Sequence, residues 1–148
     1  KSLNVLVDGR MNVKWADFGL SKIKDHTQTI LGQTDLSNMP AGSVLWMAPE
    51  QVKGKVESSK KADVYSFAVV MWELTTHEKP YSKMNVEYDV MTAIVNKQTN
   101  PLPDDTPPRF GAAIKQCWFE NPQERPSARQ LANYLADKSE QSALMPGI

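Results

Sequence analysis

The sequence predicts a mainly α fold with a short N-terminal β-hairpin. Two observations carry this. Strand-like patterning is confined to residues 3 to 16, and from residue 61 onward the apolar residues recur at helical spacing. A third supports it: Pro101, Pro103, Pro107, Pro108, Pro122 and Pro126 fall between the helical stretches, where joints belong. At 148 residues the chain suffices for one domain with a core, and it contains no internal repeat.

Each element has its own signal. Leu3 to Val7 is an apolar run broken only by Asn4. Asp8-Gly9 then signals a turn, and Met11 to Ala16 alternates, which together read as a hairpin. Residues 21 to 44 lack periodicity and are rich in Thr, Ser, Asn, Gln and Gly, which predicts a long surface loop of functional character. Lys61 to Thr76 is apolar nearly all round and predicts a buried central helix. Asn85 to Asn96 carries one stripe, Val86, Val90, Met91 and Ile94, and Phe110, Ile114 and Trp118 form another. Ser127 opens a last helix, with Gln130 three residues on as in a capping box, and Leu131 and Leu135 as its inner face. Residues 139 to 148 have no stripe and are expected to fray.

Composition narrows the function classes. The 17 basic and 17 acidic side chains balance, so no broad field favours nucleic acid or an anionic membrane. No apolar run is long enough to cross a bilayer, and no signal peptide is present. Cys117 is the only cysteine, which excludes an internal disulfide and fits a reducing, cytoplasmic setting. The chain starts at Lys1 rather than Met, as a fragment would.

Several short motifs occur in a fixed order. Lys1-Ser2-Leu3-Asn4 opens the chain, Asp17-Phe18-Gly19 follows the hairpin, and Ala48-Pro49-Glu50 closes the long loop. "DVYSFAVVMWEL" and "CWFENPQERP" come later. Together these resemble a eukaryotic protein kinase from the end of its catalytic loop, H-R-D-L-K-x-x-N, onward. The resemblance covers about residues 1 to 138 and implies a partial kinase domain, the helical C-terminal lobe, followed by a flexible tail at 139 to 148.

The resemblance implies roles that the chemistry explains. Phosphoryl transfer rests on positioning and charge stabilisation, with magnesium bridging phosphate oxygens. Asp17 and Asn4 correspond to the magnesium ligands, offering the oxygen donors a hard cation takes, and folding at Asp8-Gly9 brings them together. Lys1 corresponds to the lysine that steadies the transferred phosphoryl group of ATP, and Ser43 to a hydroxyl bonded to the catalytic loop, Lys1 included. Phe18 would pack inward, and Gly19 permits a backbone that residues with a Cβ resist. Asp63, at the start of the central helix, is expected to be buried and to face the start of the chain. Glu50 and Arg125 are expected to form a buried ion pair that anchors the loop's far end, with their charged groups within about 4 Å.

Gly42-Ser43 is similar to serine/threonine kinases, while Trp46-Met47 and Cys117-Trp118 look like tyrosine kinases. The mixture resembles the tyrosine-kinase-like group, whose members mostly phosphorylate Ser and Thr of protein substrates. Ala68 departs from the glycine frequent in the family, a small change within a helix. The loop hydroxyls most favoured as phosphorylation sites are Thr34 and Ser37. The catalytic aspartate, the glycine-rich loop and the rest of an N-terminal lobe are not among these residues, so the chain alone is expected to be inactive. The alternative reading is a pseudokinase or docking module. Intact Asn4 and Asp17 favour the enzyme, because a scaffold has no need of both ligands.

Overall fold

A two-stranded antiparallel hairpin leads into five α-helices in the computed structural model, which describes residues 1–17, 42–54 and 60–137. Strand β1 is Val5–Val7 and β2 is Val13–Trp15, with Val5 opposite Trp15 and Val7 opposite Val13. The helices are α1 (Pro49–Val52), α2 (Lys60–Thr76), α3 (Glu87–Val95), α4 (Pro108–Cys117) and α5 (Ala128–Ala136). Single 3-10 turns cover Ser2–Asn4, Ser43–Trp46 and Pro122–Glu124.

The hairpin turns at Asp8-Gly9 as the sequence predicts, within a loop of five residues. The strands are joined through residues 8 to 12, closed by Asp8 N–H on the carbonyl of Asn12 at 3.0 Å. The Asp8 carboxylate holds this loop from inside. It accepts from the backbone N–H of Arg10 and Asn12 at 2.9 Å each, and from the Asn12 amide at 3.0 Å. These bonds, the Asn12 side chain foremost, hold the Asp8 carboxyl below its ordinary pKa. Left-handed backbone falls on Met11, at φ 63°, and not on Gly9. A Cβ at Gly9 would meet open space. Gly9→Ala should therefore leave stability unchanged or raise it by up to about 1 kcal/mol. Urea unfolding checks this, and a clear loss would show that the turn needs a glycine backbone there.

Helix α2 is the centre, with buried residues around most of its circumference. On one side Tyr65, Val69 and Val70 pack with Val44–Ala48, Val90 and Ile94. On the other, Val64, Ala68 and Met71 pack with Ala113, Ile114, Cys117, Leu131 and Tyr134. Half-buried Trp118 packs against both groups. Two cores on one helix explain why its sequence shows no apolar stripe. Leu74 is the departure, 64% exposed.

Helix starts follow local chemistry. Ser127 Oγ accepts from Gln130 N–H at 3.2 Å, and Gln130 Oε1 accepts from Ser127 N–H at 2.8 Å, a reciprocal cap on α5. Pro108 sits in the first turn of α4, where a missing N–H costs nothing. The inner face of α5 is Leu131 and Tyr134 rather than Leu131 and Leu135. Tyr134 lies under the Arg109 guanidinium, 4.4 Å from the ring centre, while Leu135 stays 37% exposed. The i, i+3 pair Leu131 and Tyr134 thus forms the inner face, packed with Val64, Ala68, Met71 and Ile114. Val86 caps α3 from outside and is 56% exposed, so the α3 stripe begins at Val90. Among the described residues no helix is long and apolar enough to cross a membrane.

Candidate active site

The hairpin sets Asn4 and Asp17 side by side. Asn4 ends the first 3-10 turn, and its carbonyl accepts from Ala16 N–H at 2.8 Å, one step beyond the Val5–Trp15 pair. The next residue, Asp17, adopts φ 62°, a left-handed backbone that Asp tolerates better than most side chains. Asn4 Nδ2 lies 3.5 Å from Asp17 Oδ2, at the outer limit of hydrogen bonding. Lys1 Nζ donates to Ser43 Oγ at 3.2 Å. Lys1, Asn4, Asp17 and Asp63 share a cleft of roughly 650 Å³, with Trp15 and Phe67 on its apolar wall. Those two rings meet edge to face, 6.1 Å between centres, and join the hairpin to α2.

The donor set fits a magnesium ion. Asp17 offers a carboxylate and Asn4 an amide oxygen, its amide nitrogen being the atom turned toward Asp17; both are hard ligands, and magnesium commonly takes one or two protein groups and completes its shell with phosphate and water. No cluster of three or more His, Cys, Asp or Glu gathers among the described residues.

Asp63 is corrected by the structure. It is exposed rather than buried, because from the first turn of α2 its side chain points into the open cleft. It does face the start of the chain. Partial desolvation raises its carboxyl pKa.

Arg125 is wholly buried and its donors are fully used. Nη1 and Nη2 reach Glu50 Oε1 and Oε2 at 2.7 and 2.8 Å, two parallel bonds of a planar fork. Nε donates to the Phe119 carbonyl at 2.7 Å, Nη1 to Lys61 at 3.1 Å and Nη2 to Glu120 at 3.1 Å. The guanidinium also lies 5.0 Å from the centre of the Tyr65 ring. Lys61 Nζ in turn donates to the Arg125 carbonyl. Helix α1, the α2 start and the Phe119–Arg125 turn are thereby tied at one point.

Sequence reasoning missed Glu73. Its carboxylate accepts from Ser2 Oγ at 2.9 Å and from Trp46 Nε1 at 2.8 Å. A carboxylate inside the apolar stretch of α2 was the available signal. Cys117 is wholly buried, and burial pushes its thiol up to about 12, which makes it packing rather than a nucleophile. Phe18, Gly19, Thr34, Ser37 and the tail from 139 to 148 lie outside the described residues.

Comparison with known proteins gives the class. The model of the family described as protein tyrosine and serine/threonine kinase matches residues 1–135, and the chain belongs to that family. It is 42% identical over 133 residues to the dual specificity protein kinase shkD of Dictyostelium discoideum, covering 88% of this chain and 17% of that protein. It is 37% identical over 138 residues to the dual specificity kinase shkA of the same organism, covering 93% of this chain and 25% of that protein. The serine/threonine/tyrosine-protein kinase HT1 of Arabidopsis thaliana is 38% identical over 135 residues, 91% of this chain and 33% of that protein. The chain thus spans a third or less of each of these relatives.

Proposed function

We propose that this chain is part of the catalytic domain of a cytoplasmic serine/threonine protein kinase, contributing the helical lobe over residues 1 to 138. The complete enzyme transfers the γ-phosphate of ATP to Ser and Thr hydroxyls of a protein substrate. The observation that carries this is the pairing of Asn4 with Asp17 at 3.5 Å in one cleft with Lys1, itself bonded to Ser43, in a kinase-family chain.

Asp17 and Asn4 would hold the magnesium ion, which supplies charge neutralisation at the phosphate oxygens. Asp17 brings the charge and Asn4 a neutral oxygen, and the hairpin keeps their spacing. The Lys1 ammonium steadies the phosphoryl group as it moves, and Ser43 fixes the Lys1 side chain in its approach. Asp63 adds negative potential at the mouth of the cleft. The segment from Val44 to Met47 packs on α2 and so gives Ser43 a fixed base. Thr34 and Ser37 remain the proposed phosphorylation sites of the loop.

A polypeptide of these 148 residues alone should not bind ATP–magnesium with ordinary kinase affinity, because no adenine-holding hinge or glycine-rich loop is among them. Titration calorimetry on that polypeptide tests this, and micromolar binding would refute it. The activity itself is tested on the complete protein, by radiolabelled phosphate transfer and phosphoamino-acid analysis. Phosphoserine and phosphothreonine are expected. Phosphotyrosine alongside them would extend the reading to the dual specificity named for the Dictyostelium relatives. No transfer from the complete protein would overturn it.

A further inference from the structure

Glu73 lies on α2, half-buried, with its two carboxylate oxygens serving two distant parts of the chain. One accepts from Ser2 Oγ at 2.9 Å, the other from Trp46 Nε1 at 2.8 Å. Trp46 is itself held at a second point, since Ser66 Oγ, earlier on α2, donates to its carbonyl at 2.6 Å. Trp46 is 7% exposed, so its indole has little freedom. Ser2 neighbours Lys1, and Trp46 ends the 3-10 turn that Ser43 begins. The Lys1–Ser43 bond and the Ser2–Glu73–Trp46 bridge therefore connect the same two strips of chain, one directly and one through the central helix.

We propose that Glu73 is a positioning residue for phosphoryl transfer. It locks the turn carrying Lys1 and Asn4 to the segment carrying Ser43, and so holds the phosphate-handling groups in register with the Lys1 partner. This rests on the kinase reading above. The carboxylate suits the task because one planar group offers two acceptors, and an ionised acceptor makes stronger bonds to the neutral hydroxyl and indole donors. Glu73 touches no reacting atom in this scheme. Its effect comes through geometry, to which positioned chemistry is steeply sensitive.

The test uses the complete kinase with Glu73→Ala, Glu73→Gln and Trp46→Phe. Gln can accept from the Trp46 indole with its oxygen and donate to Ser2 Oγ with its amide nitrogen, so it keeps both bonds without the charge. Glu73→Ala is expected to lower kcat by about 10–100-fold, the scale for losing a supporting contact behind a reactive group, with KM for ATP little changed. Glu73→Gln should stay close to wild type. Trp46→Phe, which removes the indole N–H, should lower kcat less than Glu73→Ala and add nothing to it in the double variant.

Hydrogen exchange supplies a readout independent of activity. The Met47 amide, bonded to the Val44 carbonyl at 3.0 Å, should exchange faster in Glu73→Ala than in wild type or Glu73→Gln. Unchanged exchange in Glu73→Ala overturns the brace, even if the complete protein proves not to be a kinase. A Gln variant as impaired as the Ala variant in both readouts overturns the bridging role. If Glu73→Ala fails to fold, the Gln and Trp46→Phe variants still decide between these outcomes.

Discussion

Asp17→Asn in the complete kinase should lower kcat by about 10²–10³-fold, the scale for losing one preorganised electrostatic contact at a reacting centre, and leave the fold intact. The substitution removes the charge that would hold magnesium and changes almost no volume. The backbone makes Asn the right replacement. Asp17 sits at φ 62°, and Asn, like Asp, enters the left-handed region readily. Alanine there would add backbone strain of about 1–2 kcal/mol and confuse chemistry with stability. Asp17 is exposed, so Asn should shift unfolding free energy by no more than about 0.5 kcal/mol. Phosphate-transfer assays together with thermal melting check both halves. Near-normal turnover would remove Asp17 from the metal-binding role.

Arg125→Ala is expected to cost roughly 3–5 kcal/mol of stability, the range for stranding one member of a buried pair. Glu50 would lose both of its bonds to the guanidinium while its side chain is only 13% exposed. The carbonyls of Phe119, Lys61 and Glu120 would lose a donor at the same time. Exposed Arg129 provides the control, and its alanine variant should fall within about 0.5 kcal/mol of wild type. Equal small losses in the two variants, measured by denaturant unfolding, would show that the pair is no anchor. The contrast is large because the pair joins positions 75 residues apart, where no local structure can substitute.

The sequence made these features legible to different depths. Helix α2 could be read because length and apolar content are visible without tertiary knowledge, although its two cores were not. The cap on α5 could be read because Ser127 and Gln130 interact locally. Helix α1 escaped notice, since four residues give no periodic window. The choice of Tyr134 over Leu135 depends on how α5 packs against α2 and α4, and no stripe encodes that. The same limit applies to the site. Asn4, Asp17, Lys1 and Ser43 sit in short motifs, whereas Glu73 gains its partners only when Ser2 and Trp46 arrive from distant parts of the chain. Asp63 was placed correctly along the helix but not in depth, because burial depends on what covers the cleft and not on helix position.

The Asp8 clamp makes the hairpin loop a ruler. Residues 8 to 12 set which residue of β2 faces which residue of β1, and that count alone puts Asp17 beside Asn4. Adding or deleting one residue in the loop, if the strands slipped to absorb it, would turn every side chain of β2 to the opposite face. The carboxylate would then swing away from its amide partner with no residue of the site altered. Such a loop can tolerate a change of side chain more readily than a change of length. Exchanges at Gly9 and Arg10 are the variation it can absorb, while Asp8 and Asn12 hold the measure and the left-handed Met11 favours Gly or Asn in its place.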